Sequence, residues 1–534
     1  MGGLSGLSGS VLGCSETCSA WKGRCTLAPV AKGDGLTSSE SVECAERFHL
    51  EDLTHVRALL SDFDGTCLDS DRPRSAFGPL EQLASNSALF TTGSAPRDIW
   101  AHSGLGATVD ATVVATDTPL TLIDLCSMTA NTILGINDPW VKLKQASFLI
   151  SSQPHYLTAR MGHDLTYRIA RRILGCFQDD DGPDDYVVNL RQCNGSDAVE
   201  LALHAAWKAA EPTPERRRLA TFRGSYHGES LTANWVSEHQ PGRLLADAPD
   251  NVVFFPTPET DDHQELSASS LSTLETLERD GDSYFAVIIE PIQWRNSVHT
   301  VPLEFLRRLR DVCTRKSVCL IFDEMQNAFG YTGSISYART SGVSPDISAI
   351  SKALTSGHGS LAIIVARRKY REIESPFGAK SNSGNMLALV AVDAVLDRLL
   401  GVERAEGRML PAWLPSGLAA ELRDGLLASA YPRAVALVDE LLAELRRRFP
   451  TLIGAPRGVG LVRGLVLLDA DGQPSTRLAV AAAKVCLAHG VYVRQADTAV
   501  LLKPCIVLNP AETAVALDAL TKTFDDVLRL RDEH

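Results

Sequence analysis

The sequence predicts an α/β fold, with a mostly parallel central sheet in a large domain and a smaller α+β domain formed by the C-terminal part and an N-terminal segment. Apolar, strand-like runs alternate with helical patterns across residues 186–366, as in strand–helix–strand units. These runs are short, apolar throughout and bounded by polar or turn residues, which is typical of strands buried inside a parallel sheet.

The composition narrows the class of protein. The chain has 534 residues, of which 45% are hydrophobic and 22% charged, and its net charge of −13 is spread without acidic blocks. These values are typical of a globular protein with a large core. A nucleic-acid partner is not expected, because such a partner usually requires a basic face. No uninterrupted apolar run is long enough to span a membrane, so no membrane partner is expected.

Twelve cysteines in a chain of this length do not indicate a disulfide scaffold. Four of them, Cys14, Cys18, Cys25 and Cys44, lie near the start without the usual spacing of zinc ligands, so no metal site is expected. A cytoplasmic, reducing setting is therefore expected.

The N-terminal part contains an expected extension, followed by a stretch with a motif of a different enzyme class. Residues 1–45, rich in Gly, Ser and Cys, are expected to form a poorly ordered extension. Within residues 46–112, the stretch around Asp62 and Asp64 resembles the first motif of haloacid-dehalogenase-type phosphatases, and Thr92 weakly resembles the second. The later lysine and acidic pair of those enzymes do not follow. Without them no magnesium site could form, and an active phosphatase is not expected.

The rest of the chain divides into three parts. Residues 113–163 are expected to contribute the N-terminal part of the main fold, as a short hairpin, an Asn-Asp-Pro turn and a helix. Residues 164–385 are assigned to the large domain, which opens with an amphipathic helix at 164–176. Residues 386–534 are assigned to the small domain, with a loop-rich segment at 401–432 between two long helices.

Two strand ends in the large domain carry candidate cofactor ligands. Asn194, Gly195 and Ser196 would place backbone N–H groups and a hydroxyl at a helix N-terminus, which suits a phosphate. A plain N-cap is the simpler alternative. Tyr226 and His227 follow the next strand, where a flat aromatic ring could stack on a cofactor or serve only as core.

The stretch from Val318 to Lys352 carries the main chemical signal. An apolar run ends at Asp323, and a lone lysine, Lys352, follows a Ser-Pro-Asp turn and a second short apolar run. Ligands of open α/β sheets lie beyond the carboxyl ends of the strands, so the two side chains are expected to meet. An aspartate facing a pyridine nitrogen, with a lysine able to form a Schiff base, is the pair that pyridoxal 5'-phosphate (PLP) chemistry requires. An ordinary strand-end carboxylate and a surface lysine are the alternative.

Six ordered motifs across residues 113–530 resemble those of the class III, fold-type I PLP enzymes, the ornithine and ω-amino-acid aminotransferase family. CNGSDAVELAL resembles the phosphate turn of that family, which implies that Gly195 and Ser196 hold the phosphate. SYHG resembles its YHG, which implies that Tyr226 stacks on the cofactor ring with His227 beside it. EPIQ resembles its EPxQ.

The remaining motifs complete the implied site. IFDEMQNAFGYTG resembles DEVQTGFGRTG, which implies Asp323 on the pyridine nitrogen and Gln326 near the phenolic oxygen. PDISAISK ends on the implied Schiff-base lysine, Lys352. SNSGN resembles the TFSGN loop, which reaches the phosphate of the neighbouring subunit. A homodimer is therefore implied, with Ser381 keeping the hydroxyl of the usual threonine.

Two departures bear on the reaction. Arg295 stands where many 2-oxoglutarate users have the second glutamate of EPVQGEGG, and Val500 or Leu501 stands where the arginine paired with that glutamate is found. A glutamate/2-oxoglutarate cycle is therefore placed in doubt. Arg494, expected at the end of the first of two short strands, matches the position that grips a substrate carboxylate in the diaminopelargonate and pyruvate-using branches, a task that suits a guanidinium. A surface arginine is the alternative, and Arg295 could serve as anchor instead.

The resemblance implies a PLP-dependent aminotransferase that moves an amino group between an amino acid or amine and a keto acid or aldehyde, through a Lys352 Schiff base. Because the glutamate switch is missing, decarboxylase, aminomutase, epimerase or phospholyase chemistry on the same fold stays open. An inert scaffold is disfavoured by the retention of Asp323, Gln326 and Lys352. The sequence leaves the identity of the amino and keto substrates open.

Overall fold

The computed structural model describes residues 99–113, 116–158, 160–177, 185–211, 213–238, 248–373, 378–402 and 410–533. The phosphatase-like residues Asp62, Asp64 and Thr92 and the four N-terminal cysteines lie outside the described residues. Of the helices in the described ranges, none is long and apolar enough to cross a membrane.

Strands and helices alternate along the chain from Tyr186 to Arg367. The strands are β1 Ile99–Leu105, β2 Thr108–Val113, β3 Thr118–Asp124, β4 Tyr186–Gln192, β5 Arg218–Phe222, β6 Val252–Phe255, β7 Tyr284–Ile289, β8 Ile292–Gln293, β9 His299–Thr300, β10 Cys319–Asp323, β11 Ile347–Ile350, β12 Ala362–Arg367, β13 Arg457–Val459, β14 Val462–Val466, β15 Val491–Tyr492, β16 Arg494–Ala496 and β17 Ala499–Leu502. The helices are α1 Pro139–Ile150, α2 Asp164–Phe177, α3 Gly195–Ala209, α4 Leu231–Trp235, α5 Ala268–Asp280, α6 Leu303–Arg315, α7 Tyr337–Ser341, α8 Met386–Leu400, α9 Ser416–Asp424, α10 Leu426–Ser429, α11 Tyr431–Arg448, α12 Thr476–Ala488 and α13 Pro510–Asp532.

A seven-stranded sheet forms the centre of the large domain, in the order β4-β12-β11-β10-β7-β5-β6. Neighbours from β11 to β6 pair in parallel, whereas β12 is antiparallel to both β11 and β4. The prediction of a mostly parallel sheet is confirmed. The reversal at β12 has a simple cause, since the connection from Ile350 to Ala362 is too short for a crossover helix.

Both faces of this sheet are covered, which is why its strands are apolar throughout. Leu320 and Phe322 of β10 pack into a core with Phe305 of α6. Ile321, which points the other way, packs into a second core with Ala202 of α3. Alternate residues of one strand therefore face two helical layers, and the carboxyl ends of the strands are left as the open edge where polar groups collect.

Besides a two-stranded sheet of β8 and β9, the described residues form two four-stranded sheets. β1, β2 and β3 form an antiparallel sheet that β15, from the C-terminal part, joins in parallel with β3. The boundary expected at residue 113 falls at the end of β2, because the sheet already begins at Ile99. An antiparallel sheet in the order β13-β14-β17-β16 forms the strand part of the C-terminal α+β domain.

Two expectations about the C-terminal part need correction. The segment 401–432, expected to be rich in loops, contains α9 and α10, which pack against α8. Arg494, expected at the end of a strand, begins β16, because the strand is interrupted at Val493, between β15 and β16. Each of these strands then pairs in a different sheet.

A buried ionic cluster joins α1, α2 and α8. Asp393 of α8 accepts hydrogen bonds from Lys144, from Arg168 at 2.8 Å and from Arg172 at 2.8 Å. Asp397, one turn later, accepts from Lys144 at 2.7 Å and from Arg172 at 2.8 Å. Removal of one carboxylate would leave buried positive charge without its partner, which is strongly destabilising.

Candidate active site

Lys352 lies two residues beyond the end of β11 and opens the short 3-10 helix Lys352–Thr355. Its backbone has a φ of 48°, a left-handed conformation that non-glycine residues seldom adopt and that is concentrated at functional sites. Burial lowers the pKa of the Lys352 amine to about 8, although the carboxylates of Asp323 and Glu290 act in the opposite direction. Much of this amine is therefore neutral near pH 8, which is the form that attacks a carbonyl.

Asp323 ends β10, the strand beside β11. Its Oδ2 lies 2.8 Å from Nδ1 of His227, and its Oδ1 accepts the backbone N–H of Met325 at 3.1 Å. His227 is itself held by its backbone N–H, which donates to the Ser237 hydroxyl at 2.7 Å. The predicted residues Asp323 and His227 thus meet, and the carboxylate is held in one orientation.

Glu290 follows β7, the next strand of the sheet, and was not among the predicted site residues. Its Oε2 accepts the backbone N–H of Tyr226 at 3.0 Å. Burial, and next the neighbouring Asp323, raise the pKa of Glu290 well above its usual value. Its position at the end of an apolar strand was the available signal, as it was for Asp323.

Tyr226, Arg295, Arg494 and the Lys352 amine all lie beside the Trp294 ring. The Arg295 guanidinium lies 4.2 Å from the centroid of the Tyr226 ring and 4.9 Å from that of Trp294. Arg494 and the Lys352 Nζ each lie 5.7 Å from the Trp294 ring. Three cationic groups therefore converge on one indole that sequence reasoning did not select, a favourable arrangement for an electron-rich ring.

The predicted phosphate turn lies at the start of α3. The Asn194 side chain caps the helix by accepting the N–H of Asp197 at 3.1 Å. The Ser196 hydroxyl accepts the N–H of Glu229 at 3.1 Å. A side chain at Gly228, which has a φ of 136°, would meet the Ser196 hydroxyl at 2.3 Å. The motif around Tyr226 therefore packs on the phosphate turn, and only glycine fits between them.

Gln326 lies just beyond Asp323 and is buried. Its side-chain oxygen accepts a hydrogen bond from Nζ of Lys503 at 2.9 Å, and its backbone carbonyl accepts from the same amine. Its Nε2 is buried and has no partner in the described part of the chain. The amide therefore presents an unused donor.

Arg494 is held by an unusual turn. Four consecutive non-glycine residues, Ser127 to Ala130, have φ between 44° and 67° and form one left-handed turn. Asp124 supports it by accepting the N–H groups of Cys126 at 2.8 Å and Met128 at 2.7 Å. The turn presents Thr129, whose hydroxyl accepts from Nη1 of Arg494 at 3.1 Å. Left-handed turns of L-residues are costly, so their presence beside a site points to a functional constraint.

Ser381 opens the exposed end of the short 3-10 helix Ser381–Gly384. Its carbonyl accepts the Tyr156 hydroxyl, and Nζ of the preceding Lys380 lies 3.7 Å from Asp197 at the phosphate turn. This loop therefore lies beside the phosphate turn of its own chain, with the Ser381 side chain exposed.

These groups fit PLP. The unpartnered donor of Gln326 suits a phenolic oxygen, the desolvated amine of Lys352 suits an aldehyde, and the buried Asp323 suits a pyridinium. The N–H groups that open α3 suit a phosphate. The fold and these groups define a fold-type I PLP enzyme.

Comparison with known proteins gives the family. The model of the family "Aminotransferase class-III" matches residues 109–407. The chain is 28% identical to the acetylornithine aminotransferase of Mesorhizobium japonicum over 329 residues, which is 61% of this chain and 72% of that protein. It is 26% identical to the adenosylmethionine-8-amino-7-oxononanoate aminotransferase of Geobacter sulfurreducens over 363 residues, which is 62% of this chain and 74% of that protein. The chain belongs to the class III aminotransferases.

Comparison with solved structures gives the same fold. An amine transaminase from an uncultivated Pseudomonas species, in its PLP-bound form, matches with a TM-score of 0.65 and 25% identity over 82% of this chain and 97% of that one. The taurine:2-oxoglutarate aminotransferase of Bifidobacterium kashiwanohense has a TM-score of 0.68 at 17% identity, over 84% of this chain and 98% of that one, and supports the fold alone. The predicted cofactor, PLP, and the predicted reaction class, transamination of small amino and keto compounds, are confirmed.

Proposed function

We propose that this aminotransferase acts on amino acids and keto acids that carry a carboxylate, and that Arg494 holds this carboxylate. The observation that carries the proposal is the grouping of Arg494, Arg295 and Lys352 around Trp294. Among the described residues, no carboxylate forms an ion pair with either arginine. A guanidinium without its counter-ion beside a reacting amine suits an anionic substrate.

Arg494 is the better anchor of the two. Its Nη1 is fixed by Thr129, which leaves the other nitrogens of the fork for a carboxylate. Arg295 lies over the Tyr226 ring, and its buried Nε has no partner in the described residues. A second anionic group of the substrate would contact Arg295, which lies beside the same Trp294 ring.

We assign the other groups as follows. Gly195 and Ser196 hold the phosphate, Tyr226 stacks on the ring, His227 orients Asp323, and Asp323 holds the proton of the pyridine nitrogen. Gln326 donates to the phenolic oxygen. The cofactor, when bound, supplies an electron sink for the bond broken at the substrate carbon. Lys352 would hold the cofactor covalently and, as a free amine, would carry the proton to and from that carbon.

Matched donors test the proposal. Amino acids and the amines that lack only their carboxylate would be offered to the holoenzyme, and conversion of the cofactor to its amino form would be followed by absorbance. Carboxylate-bearing donors are expected to react. Arg494→Met should raise their KM about 10²-fold, with Arg423→Met, on exposed α9 surface, as the control. Equal reactivity of both donor types would overturn the assignment of Arg494.

A second candidate function uses the same site and cofactor but catalyses a different reaction. Arg295 occupies the position at which 2-oxoglutarate users carry a glutamate switch, so the site has no acidic group there for dual substrate recognition. Product formation from a single amino substrate, with no keto acid present, would favour a decarboxylase, aminomutase, epimerase or phospholyase. Strict dependence on a keto acid would reject it.

We further propose a homodimer in which Ser381 reaches the cofactor phosphate of the neighbouring subunit. Its side chain is exposed and therefore available to a second subunit, which supports this. Mixed dimers of Lys352→Ala and Ser381→Ala subunits give the test. If Ser381 acts across the interface, such dimers contain one intact site of wild-type PLP affinity; if it acts within its own chain, they contain none.

The seven described cysteines are all free, which supports the cytoplasm as the location.

A further inference from the structure

Lys503 is a lysine with no exposed surface, in the position directly after β17. Its backbone is pinned on both sides, because its N–H donates to the carbonyl of Leu125 at 2.6 Å and its carbonyl accepts the Ser127 hydroxyl at 2.7 Å. Its ammonium lies 4.0 Å from the centroid of the Tyr331 ring. No described carboxylate forms an ion pair with it. Burial lowers the pKa of Lys503 well below its usual value.

A buried lysine without an acid is costly, so its contacts indicate what it does. Both hydrogen bonds of its Nζ go to Gln326, one to the backbone carbonyl and one to the side-chain oxygen at 2.9 Å. Because Nζ of Lys503 donates to the side-chain oxygen, the oxygen end of the Gln326 amide faces Lys503. The Gln326 nitrogen is thereby turned away from Lys503, and it is the buried donor that has no partner in the described residues.

We propose that Lys503 is a positioning residue that holds the Gln326 amide with its N–H₂ group toward the phenolic oxygen of bound PLP. The proposal rests on the placement of Gln326 given under Proposed function. Without Lys503, the amide could turn over and present its oxygen to an anionic oxygen of the cofactor, which is repulsive. With Lys503 in place, the donor orientation is fixed before the cofactor arrives.

The consequence is electronic. A donor on the phenolic oxygen stabilises its anionic form and makes the neighbouring Schiff-base nitrogen less basic. Loss of a hydrogen bond to a charged group corresponds to about one pKa unit. We therefore expect Lys503→Met, which keeps the length of the side chain and removes its donors, to raise the pKa of the Schiff-base nitrogen by about one unit.

The pH dependence of the visible absorbance of the holoenzyme measures this pKa without any substrate. Leu502→Met, at the buried neighbouring position, is the matched control and should leave the pKa unchanged. Gln326→Leu should raise it by a similar amount, and Lys503→Met added to Gln326→Leu should raise it no further, as expected of residues that act in series.

Several outcomes would overturn the proposal. If Lys503→Met lowers only the melting temperature and leaves the pKa at its wild-type value, Lys503 has a structural role alone. If the two shifts add in the double variant, Lys503 does not act through Gln326. If Gln326→Leu shifts the pKa and Lys503→Met does not, the placement of Gln326 stands and the role of Lys503 fails. Should Lys503→Met not fold, Lys503→Arg retains the donors and should keep the wild-type pKa; a folded arginine variant with a raised pKa contradicts the proposal.

Discussion

Asp323 Oδ2 and His227 Nδ1 lie 2.8 Å apart, and both side chains are buried. The imidazole occupies one carboxylate oxygen and the Met325 N–H occupies the other, so the acid at the end of β10 cannot turn. A carboxylate fixed in this way is preorganised for one partner, and preorganised charge is worth far more in a water-poor site than in solution.

Substitution of Asp323 tests this directly. Asp323→Asn is expected to lower kcat by about 10²–10³-fold, because the amide cannot hold a proton on the pyridine nitrogen. His227→Asn should have a smaller effect, since the carboxylate remains and only its orientation is loosened. Steady-state kinetics at saturating PLP measures both. A fully active Asp323→Asn variant would show that the aspartate does not face the cofactor.

The position of the Schiff base can be mapped chemically. Borohydride reduction of the holoenzyme, followed by digestion and mass spectrometry, should place the cofactor on Lys352. Lys503, the other buried lysine near the site, provides an internal control, because its amine is engaged by Gln326. Lys352→Ala should abolish both the label and the activity, whereas label on Lys503 would contradict the assignment.

Reconstitution of the apoenzyme should depend on pH through Lys352. Only the neutral amine attacks the aldehyde of PLP, and the pKa of Lys352 is lowered to about 8. The rate of Schiff-base formation is therefore expected to rise about tenfold per pH unit below that value and to level off above it. Stopped-flow absorbance gives this profile. A rate that continues to rise toward pH 10 would show an amine with the usual pKa of a lysine.

The ionic cluster of α8 should dominate acid stability. Although burial acts to raise it, Lys144, Arg168 and Arg172 hold the pKa of Asp393 well below its usual value. A lowered pKa means that its contribution to stability is present above about pH 4, where an unfolded aspartate is ionised, and is lost as the pH falls through the folded value.

Asp393→Ala tests that contribution. It is expected to lower the free energy of unfolding by about 3–5 kcal/mol, because the buried Arg172 and two partly buried cations lose a partner. Urea denaturation at pH 7 measures this change. Glu278→Ala, which breaks an exposed ion pair with Arg315, is the control and should have little effect. A similarly small loss for Asp393→Ala would mean that Asp397 alone satisfies the cluster.

Local patterns predicted the central sheet and pointed to most of the candidate cofactor groups. The apolar run Val318–Phe322 corresponds to β10, and the helix expected at 164–176 corresponds to α2. Such elements are readable because burial imposes a pattern on neighbouring residues. Asp323 and Lys352 were readable for the same reason, since each follows a strand of one parallel sheet.

The groups that sequence reasoning missed depend on distant contacts. Lys503 continues a strand that is otherwise apolar, and a lysine after VLL carries no local mark of burial. Its partner Gln326 is 177 positions away. Thr129 is likewise oriented by a turn whose left-handed geometry no local propensity predicts, because it is supported by Asp124 and by Lys503. The antiparallel direction of β12 was equally invisible to residue patterns.

The pairing of β15 with β3, and of Lys503 with Gln326, has a consequence for the order in which the protein matures. A ribosome makes Asp323, Gln326 and Lys352 well before Val491, Arg494 and Lys503, so a nascent chain exposes the whole central sheet while its pocket still lacks one wall. Until the last strands are released, the Gln326 amide lacks its hydrogen bond from Lys503, and the left-handed turn lacks the hydrogen bond of Ser127 to the Lys503 carbonyl. Capture of PLP is therefore expected to be one of the final events of biosynthesis. A chain truncated before residue 491 should be made and partly folded, but should lack bound PLP and its visible absorbance.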